Sequence, residues 1–153
     1  MRRAFQRIGR QPWFAAFARR VGGRTDRLLY RATGGRFTLT GSLAPVLLLT
    51  TRGRRSGRPR TTPVIYVRDG DGFVVSSEDY GQPKPAAWPL NLDANPDATV
   101  ELDGQTIPCR GRRLSEEEAD RHWPALCEVW PAHAAYRERS GTRHTFRLDP
   151  VDG

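Results

Sequence analysis

Val46-Leu47-Leu48-Leu49-Thr50-Thr51, Thr61-Thr62-Pro63-Val64-Ile65-Tyr66-Val67 and Phe73-Val74-Val75-Ser76-Ser77 are three strand-length runs, rich in β-branched or apolar residues. Two connections of different character separate them. The second, Asp69-Gly70-Asp71-Gly72, carries the Asp-Gly steps of a tight hairpin. The first, Arg52-Gly53-Arg54-Arg55-Ser56-Gly57-Arg58-Pro59-Arg60, is short and glycine-bearing. Parallel neighbours need a crossover of about a dozen residues or more, so these strands are expected to lie antiparallel.

The same pattern continues downstream. Residues 78–85, with Gly81, Pro83 and Pro85, read as a loop, and Pro85 to Asn95 as a short helix ending before Pro96. Ala98–Leu102 and Gln105–Arg112 are two strands joined by Asp103-Gly104, a second hairpin signal. Ser115-Glu116-Glu117-Glu118 is a capping box that opens a helix through Trp123, Leu126 and Val129. Pro131 starts another helical piece to Arg139, Ser140-Gly141 closes it, and Phe146–Leu148 supplies a last strand. Upstream, Trp13, Phe14, Phe17 and Val21 follow helical spacing opposite Arg19, Arg20, Arg24 and Arg27, interrupted by Gly22-Gly23. The expectation is one α+β domain over 1–153. An amphipathic helical segment, 1–33, precedes a largely antiparallel small barrel, 34–153, with helices packed outside.

The chain has 153 residues, 37% hydrophobic and 27% charged, which suffices for one core burying roughly 70% of the unfolded surface. No run approaches the ~20 apolar residues of a spanning helix, and no apolar stretch follows the basic start, so a cytoplasmic protein is expected. Cys109 and Cys127 lack a metal-type spacing, and His122, His133 and His144 form no ligand set; free thiols and no metal are the reading. The net charge of +8 is unevenly placed. Residues 1–68 carry sixteen arginines against Asp26, a net +15, whereas the remainder sums to −7. A nucleic acid, an anionic membrane surface or an anionic small molecule could answer such charge.

The loop at 52–60 sharpens the choice. Glycines let backbone N–H groups approach a ligand, and guanidinium forks match phosphate or carboxylate oxygens. Its spacing is not that of a P-loop. No aromatic falls between 38 and 65 and no DNA-reading helix pattern occurs, so no nucleic-acid partner is expected. Trp13, Phe14 and Phe17 opposite arginines leave peripheral membrane contact open beside plain core packing. No nucleophile motif is present. An anion cradle without catalytic side chains fits an enzyme whose cofactor carries the chemistry.

Two motifs, Arg52-Gly53-Arg54-Arg55-Ser56-Gly57-Arg58-Pro59-Arg60 with its flanking strands, and Trp88-Pro89-Leu90-Asn91-Leu92-Asp93-Ala94-Asn95-Pro96, occur in this order and spacing. With them, over about residues 28–150, the chain resembles the deazaflavin (coenzyme F420)-dependent nitroreductase and F420H2-dependent oxidoreductase family of actinobacteria. The resemblance implies a split β-barrel related to FMN-binding barrels. It also implies coenzyme F420 as cofactor, whose phospholactyl group and oligoglutamate tail are anionic, and hydride transfer from reduced deazaflavin to a hydrophobic quinone-like, enone or nitro acceptor. The alternatives are a non-catalytic F420 carrier, an FMN-binding barrel and, remotely, a basic nucleic-acid binder. A monomer or a homodimer would serve.

By the family motif, Arg54, Arg55, Ser56, Gly57 and Arg60 would hold the phosphate and tail, with Arg52 and Arg58 as extra steering charge. Pro63, Ser76 and Ser77 would line the ring, and Ala87, Trp88 and Asn91 would close its other side. Trp130, His133 and Tyr136, at i, i+3 and i+6, would form part of the acceptor pocket, with Tyr136 or His133 donating a proton or hydrogen bond. Tyr136 matches a family tyrosine; Trp130 and His133 replace two others. The stretch Ser76-Ser77-Glu78-Asp79-Tyr80-Gly81 departs from the family's Ala-Ser-x-Gly-Gly. Either Glu78 or, with a one-residue slip, Ser77 takes the family serine's catalytic place, and Glu78 would border the acceptor. The last strand also looks short.

Overall fold

The computed structural model describes residues 45–151. The expected helical segment 1–33, with Trp13, Phe14 and Phe17, and residues 34–44 lie outside the described residues. Six antiparallel strands close into one barrel in the order β1-β2-β3-β6-β5-β4. They are β1 (Val46–Arg52), β2 (Pro59–Asp69), β3 (Gly72–Ser77), β4 (Asp97–Leu102), β5 (Gln105–Arg113) and β6 (His144–Pro150). Among the described residues three helices accompany them, α1 (Ala87–Ala94), α2 (Glu116–Val129) and α3 (Ala132–Ser140), with a 3-10 turn at Asp79–Gly81. From β1 onward the element order is the one expected. β6 runs from His144 to Pro150 rather than only 146–148, and it closes the barrel between β3 and β5.

Alternation along each strand sets the inside and the outside. Leu47 and Leu49 of β1, Val64 of β2, Phe73 and Val75 of β3, and Phe146 and Leu148 of β6 fill the barrel. Burying each such side chain contributes about 1.5–3 kcal/mol. The opposite parity of β3 is buried as well, because Val74 meets Leu114, Ala119 and Leu126 under α2. Helix α1 inserts Trp88 and Leu92 among the interior residues, with the Trp88 and Phe146 rings edge-on at 5.7 Å.

Local chemistry accounts for the joints. Asp103 and Gly104 both have positive φ, as the mirror-image hairpin turn requires. Ser115 caps α2 by accepting the Glu118 N–H, while the Glu118 carboxylate accepts the Ser115 N–H. At the β2–β3 turn, the Arg147 guanidinium bonds both the carboxylate and the carbonyl of Asp69. A Cβ on Gly72 would meet that guanidinium at 2.8 Å, so a larger residue there would push the arginine head away from the turn.

Candidate active site

The barrel is closed but not evenly zipped. β2 pairs with β3 only from Tyr66↔Val75 to Asp69↔Gly72, while its first half, Pro59–Ile65, pairs with β1 alone. Ser76 and Ser77 continue β3 paired only with β6. A slit therefore opens between residues 59–65 on one lip and Ser76–Ser77 with the turn 78–81 on the other. The arginine loop stands at the same end.

Two backbone bonds shape that loop, Gly53 N–H to the Arg58 carbonyl and Gly57 N–H to the Gly53 carbonyl, both 2.8 Å. Gly57 has φ +68°, and a Cβ on Gly53 would lie 2.7 Å from Ser56 Oγ. A third anchor comes from α1. The Asn91 side chain, 2% exposed, accepts the Arg54 N–H at 3.1 Å and donates to Thr51 Oγ1 at 3.1 Å. The two motifs that stood out in the sequence thus join at one amide.

Arg52, Arg54, Arg55, Arg58 and Arg60 are all exposed, and among the described residues their guanidiniums bond no carboxylate. Four arginines elsewhere are answered, Arg112 by Glu118, Arg113 by Asp93, Arg143 by Glu116 and Asp120, and Arg147 by Asp69 and Asp149, while Arg68 and Arg137 lie over the Phe73 and Trp123 rings. Five unanswered guanidiniums on a glycine-turned loop suit phosphate and carboxylate oxygens.

The other lip is dense with polar groups. Glu78, 1% exposed, accepts the Ser76 hydroxyl at 3.0 Å and the His133 Nδ1–H at 2.9 Å. Because Ser76 spends its proton on Glu78, Thr145 Oγ1, 3.1 Å away, donates to Ser76. Ser76 and Thr145 share the parity of Val74, on the outer wall; Ser77 has the inner parity and accepts the Asp79 N–H. Asp79, at φ 54°, accepts from Ala86 N–H, Thr142 Oγ1 and His144 Nε2, tying the turn to α1 and β6. Helix α3 bridges the slit: Trp130 and Tyr136 pack on Ile65 from one lip, and His133 bonds Glu78 from the other. His133 Nε2 is buried with no hydrogen-bond partner among the described residues.

The structure thus groups the expected residues unequally. Arg54, Arg55, Ser56, Gly57 and Arg60 form the loop, with the half-buried Pro63 on the lip beyond it. Ala87 is exposed at the start of α1, whereas Trp88 is buried in the barrel and Asn91 is engaged with the loop. Ser76 and Ser77 face opposite sides of the wall, and Trp130, His133 and Tyr136 are brought together on the slit. Sequence reasoning missed Thr51 and Asp79. A threonine at a strand end and an aspartate in a loop carry no local signal, since their partners lie 40 and up to 65 residues away. Neither thiol is poised for reaction: burial first, then the Asp149 charge, pushes Cys109 up to about 11, and burial first, then the Glu78 charge, raises Cys127.

A split antiparallel barrel with helices outside defines a class whose fold extends well beyond close relatives. It matches the putative pyridoxamine 5'-phosphate oxidase from Listeria innocua with a TM-score of 0.51 at 15% identity, covering 70% of this chain and 84% of that one. Nearer at hand, the F420-H2 dependent reductase FDR-A matches with a TM-score of 0.62 and 28% identity over 69% of this chain and 94% of that one. A structure described as a domain-swapped dimer matches with a TM-score of 0.65 and 28% identity, covering 82% and 94%. The profile of the F420H2-dependent quinone reductase family matches residues 22–149. An F420H2-dependent quinone reductase of Mycobacterium tuberculosis is 33% identical over 138 residues, 87% of this chain and 91% of that protein.

The chain belongs to the F420H2-dependent quinone reductase family. It is an oxidoreductase whose cofactor is coenzyme F420 and whose acceptors are quinone-like. No helix among the described residues is long and apolar enough to cross a membrane.

Proposed function

We propose that the arginine loop grips the anionic end of F420 and that the slit seats its ring, so that a quinone-like acceptor is reduced beside α3. Arg54, Arg55 and Arg60 bind the phosphate and carboxylates, with the Ser56 hydroxyl and the loop N–H groups near Gly57 adding donors, and Arg52 and Arg58 drawing in a tail of variable length. Pro63 on one lip and Ala87 and Trp88 at α1 border the ring, and Asn91 holds the loop rather than the ligand. Bound there, the reduced cofactor supplies the hydride. Trp130, His133 and Tyr136 present the acceptor, exclude water and hold a proton for the product. Ser76, Ser77 and Glu78 form the opposite lip.

The observation that carries this reading is the clustering of five exposed guanidiniums, none bonded to a carboxylate among the described residues, on one glycine-turned loop. The test is a fluorescence titration with F420 of the wild type, Arg54→Ala and Arg60→Ala. A charge-assisted contact contributes about 1.5–3 kcal/mol, so each variant is expected to weaken binding about 10- to 100-fold. FMN, which lacks the oligoglutamate tail, serves as the control ligand and is expected to respond less. Unchanged F420 affinity in both variants overturns the assignment.

Two finer points belong to the same proposal. A homodimer is supported by the domain-swapped relative, and light scattering should give twice 17.2 kDa. In a cytoplasmic protein, contact of Trp13, Phe14 and Phe17 with an anionic membrane surface suits a lipid-soluble quinone; deleting residues 1–27 should abolish binding to anionic liposomes.

A further inference from the structure

A buried carboxylate bonded to a histidine is costly unless each group answers the other, and here both are more than nine-tenths buried. The pair is built from three elements. Glu78 follows the end of β3, Ser76 and Thr145 come from adjacent strands, and His133 comes from α3. The Glu78 carboxylate takes hydrogen bonds on both oxygens, and the one on Oε2 fixes the tautomer and direction of the imidazole. The opposite ring nitrogen, Nε2, is buried without a partner among the described residues. Such a nitrogen wants a hydrogen-bonding group that the described residues do not supply. The helix carrying it touches both lips of the slit, and an acceptor seated there would offer this nitrogen a partner.

We infer that Glu78 is a positioning residue, and that with the Ser76–Thr145 chain behind it, it holds His133 so that Nε2 faces a carbonyl oxygen of the acceptor and delivers its proton. This rests on the acceptor seat proposed above and assigns the proton donor within it. The reaction balances. The acceptor gains a hydride, with its electron pair, from the C–H bond of reduced deazaflavin, which is thereby oxidised by two electrons. It gains one proton from Nε2–H of His133 in its doubly protonated form, which leaves the neutral ring with the Nδ1–H that Glu78 holds; the quinone departs as hydroquinone, and Nε2 takes up a proton from solvent before the next turnover. A planar acceptor bearing a carbonyl that ends as a hydroxyl meets this demand.

The experiment uses the full chain loaded with F420H2, with menadione as acceptor, and compares the wild type with Glu78→Gln, His133→Gln, their double variant and Trp130→Ala. Loss of a positioned acid costs roughly 100- to 10,000-fold. His133→Gln should therefore lower kcat at least 100-fold, and Glu78→Gln at least 10-fold, each with F420 affinity within threefold of wild type. The double variant should be no slower than His133→Gln, because the two residues act as one unit. A second readout needs no turnover. In protein labelled with 15N-histidine, the downfield Nδ1–H proton of His133 should be present in the wild type and move upfield in Glu78→Gln, whose amide oxygen is the weaker acceptor. Additive losses in the double variant, a kcat within threefold of wild type in either single variant, or absence of the Nδ1–H signal from wild type each overturn the inference. If Glu78→Gln does not fold, the His133→Gln rate and the wild-type signal still decide. Trp130→Ala separates the two readings. A raised KM for menadione with an unchanged kcat in Glu78→Gln keeps the seat and removes the pair, whereas an unchanged KM removes the seat and the pair with it.

Discussion

Replacing Asn91 by alanine removes one amide that serves two backbone segments. Its carbonyl accepts the Arg54 N–H and its NH2 donates to Thr51 Oγ1, both at 3.1 Å, in a site where Asn91 and Thr51 are each 2% exposed. Losing the bonds costs about 1 kcal/mol each, and stranding the Thr51 hydroxyl and the Arg54 N–H brings the total to about 2–4 kcal/mol. At this chain length that lowers the melting temperature by about 5–15 °C. The second effect falls on the cofactor. With Arg54 released, one or two backbone residues must be fixed again on binding, at about 1–3 kcal/mol, or roughly 5- to 100-fold in Kd. Thermal melting of the free protein and an F420 titration measure the two terms separately. Asn91→Asp divides shape from charge: the acceptor to Arg54 remains and the Thr51 hydroxyl turns to donate, but a negative charge now stands beside the anion site. It should melt closer to wild type than Asn91→Ala yet bind F420 no better. A melting temperature within 2 °C of wild type together with unchanged Kd in Asn91→Ala refutes the claim that this amide organises the loop.

The other expectations concern backbone and thiols. Gly57→Ala meets no atom within 4 Å but must hold φ +68°, so it should lose about 1–2 kcal/mol in urea unfolding, while Gly57→Asn loses less. Equal losses for the two variants would remove the backbone argument. Burial raises Cys109 from 9.0 to about 11, so the folded thiol keeps a proton that the unfolded chain releases. The resulting stability is fully present below pH 9 and is lost as pH rises toward 11, so the urea midpoint should fall over that window and fall less in Cys109→Ala. An identical decline in both proteins would place the effect elsewhere. At pH 8, Cys109 should resist a thiol reagent until the protein unfolds.

Much of the barrel was legible because its strands announce themselves locally. Asp103-Gly104 and Ser115-Glu116-Glu117-Glu118 are signals complete within four residues, and each produced the expected joint. The arginine loop was equally readable, since charge and glycine are written into consecutive positions. The slit was not, because it is an absence of pairing between residues 59–65 and 76–77, and pairing depends on where β2 and β3 diverge in space. The acceptor side was hidden for a related reason. Glu78 and His133 are 55 residues apart, and nothing in either neighbourhood signals that a buried carboxylate will meet an imidazole. The resemblance placed both residues near the acceptor, but their bond to each other arises only in the folded chain.

The strand order also has a consequence in time. β1, β2 and β3 meet through neighbouring residues, as do β4 and β5, and such contacts form early and cheaply. Ring closure requires Phe73 to find Leu148, 75 positions further along, after α2 and α3 have been laid between them. On the ribosome the barrel therefore cannot shut until residues 144–150 have emerged, and the bridging helix reaches both lips only then. The cradle for the anion assembles within residues 51–91, while the acceptor side waits for the closing strand. A nascent chain stalled before β6 should already organise its arginine loop yet have no finished place for a quinone.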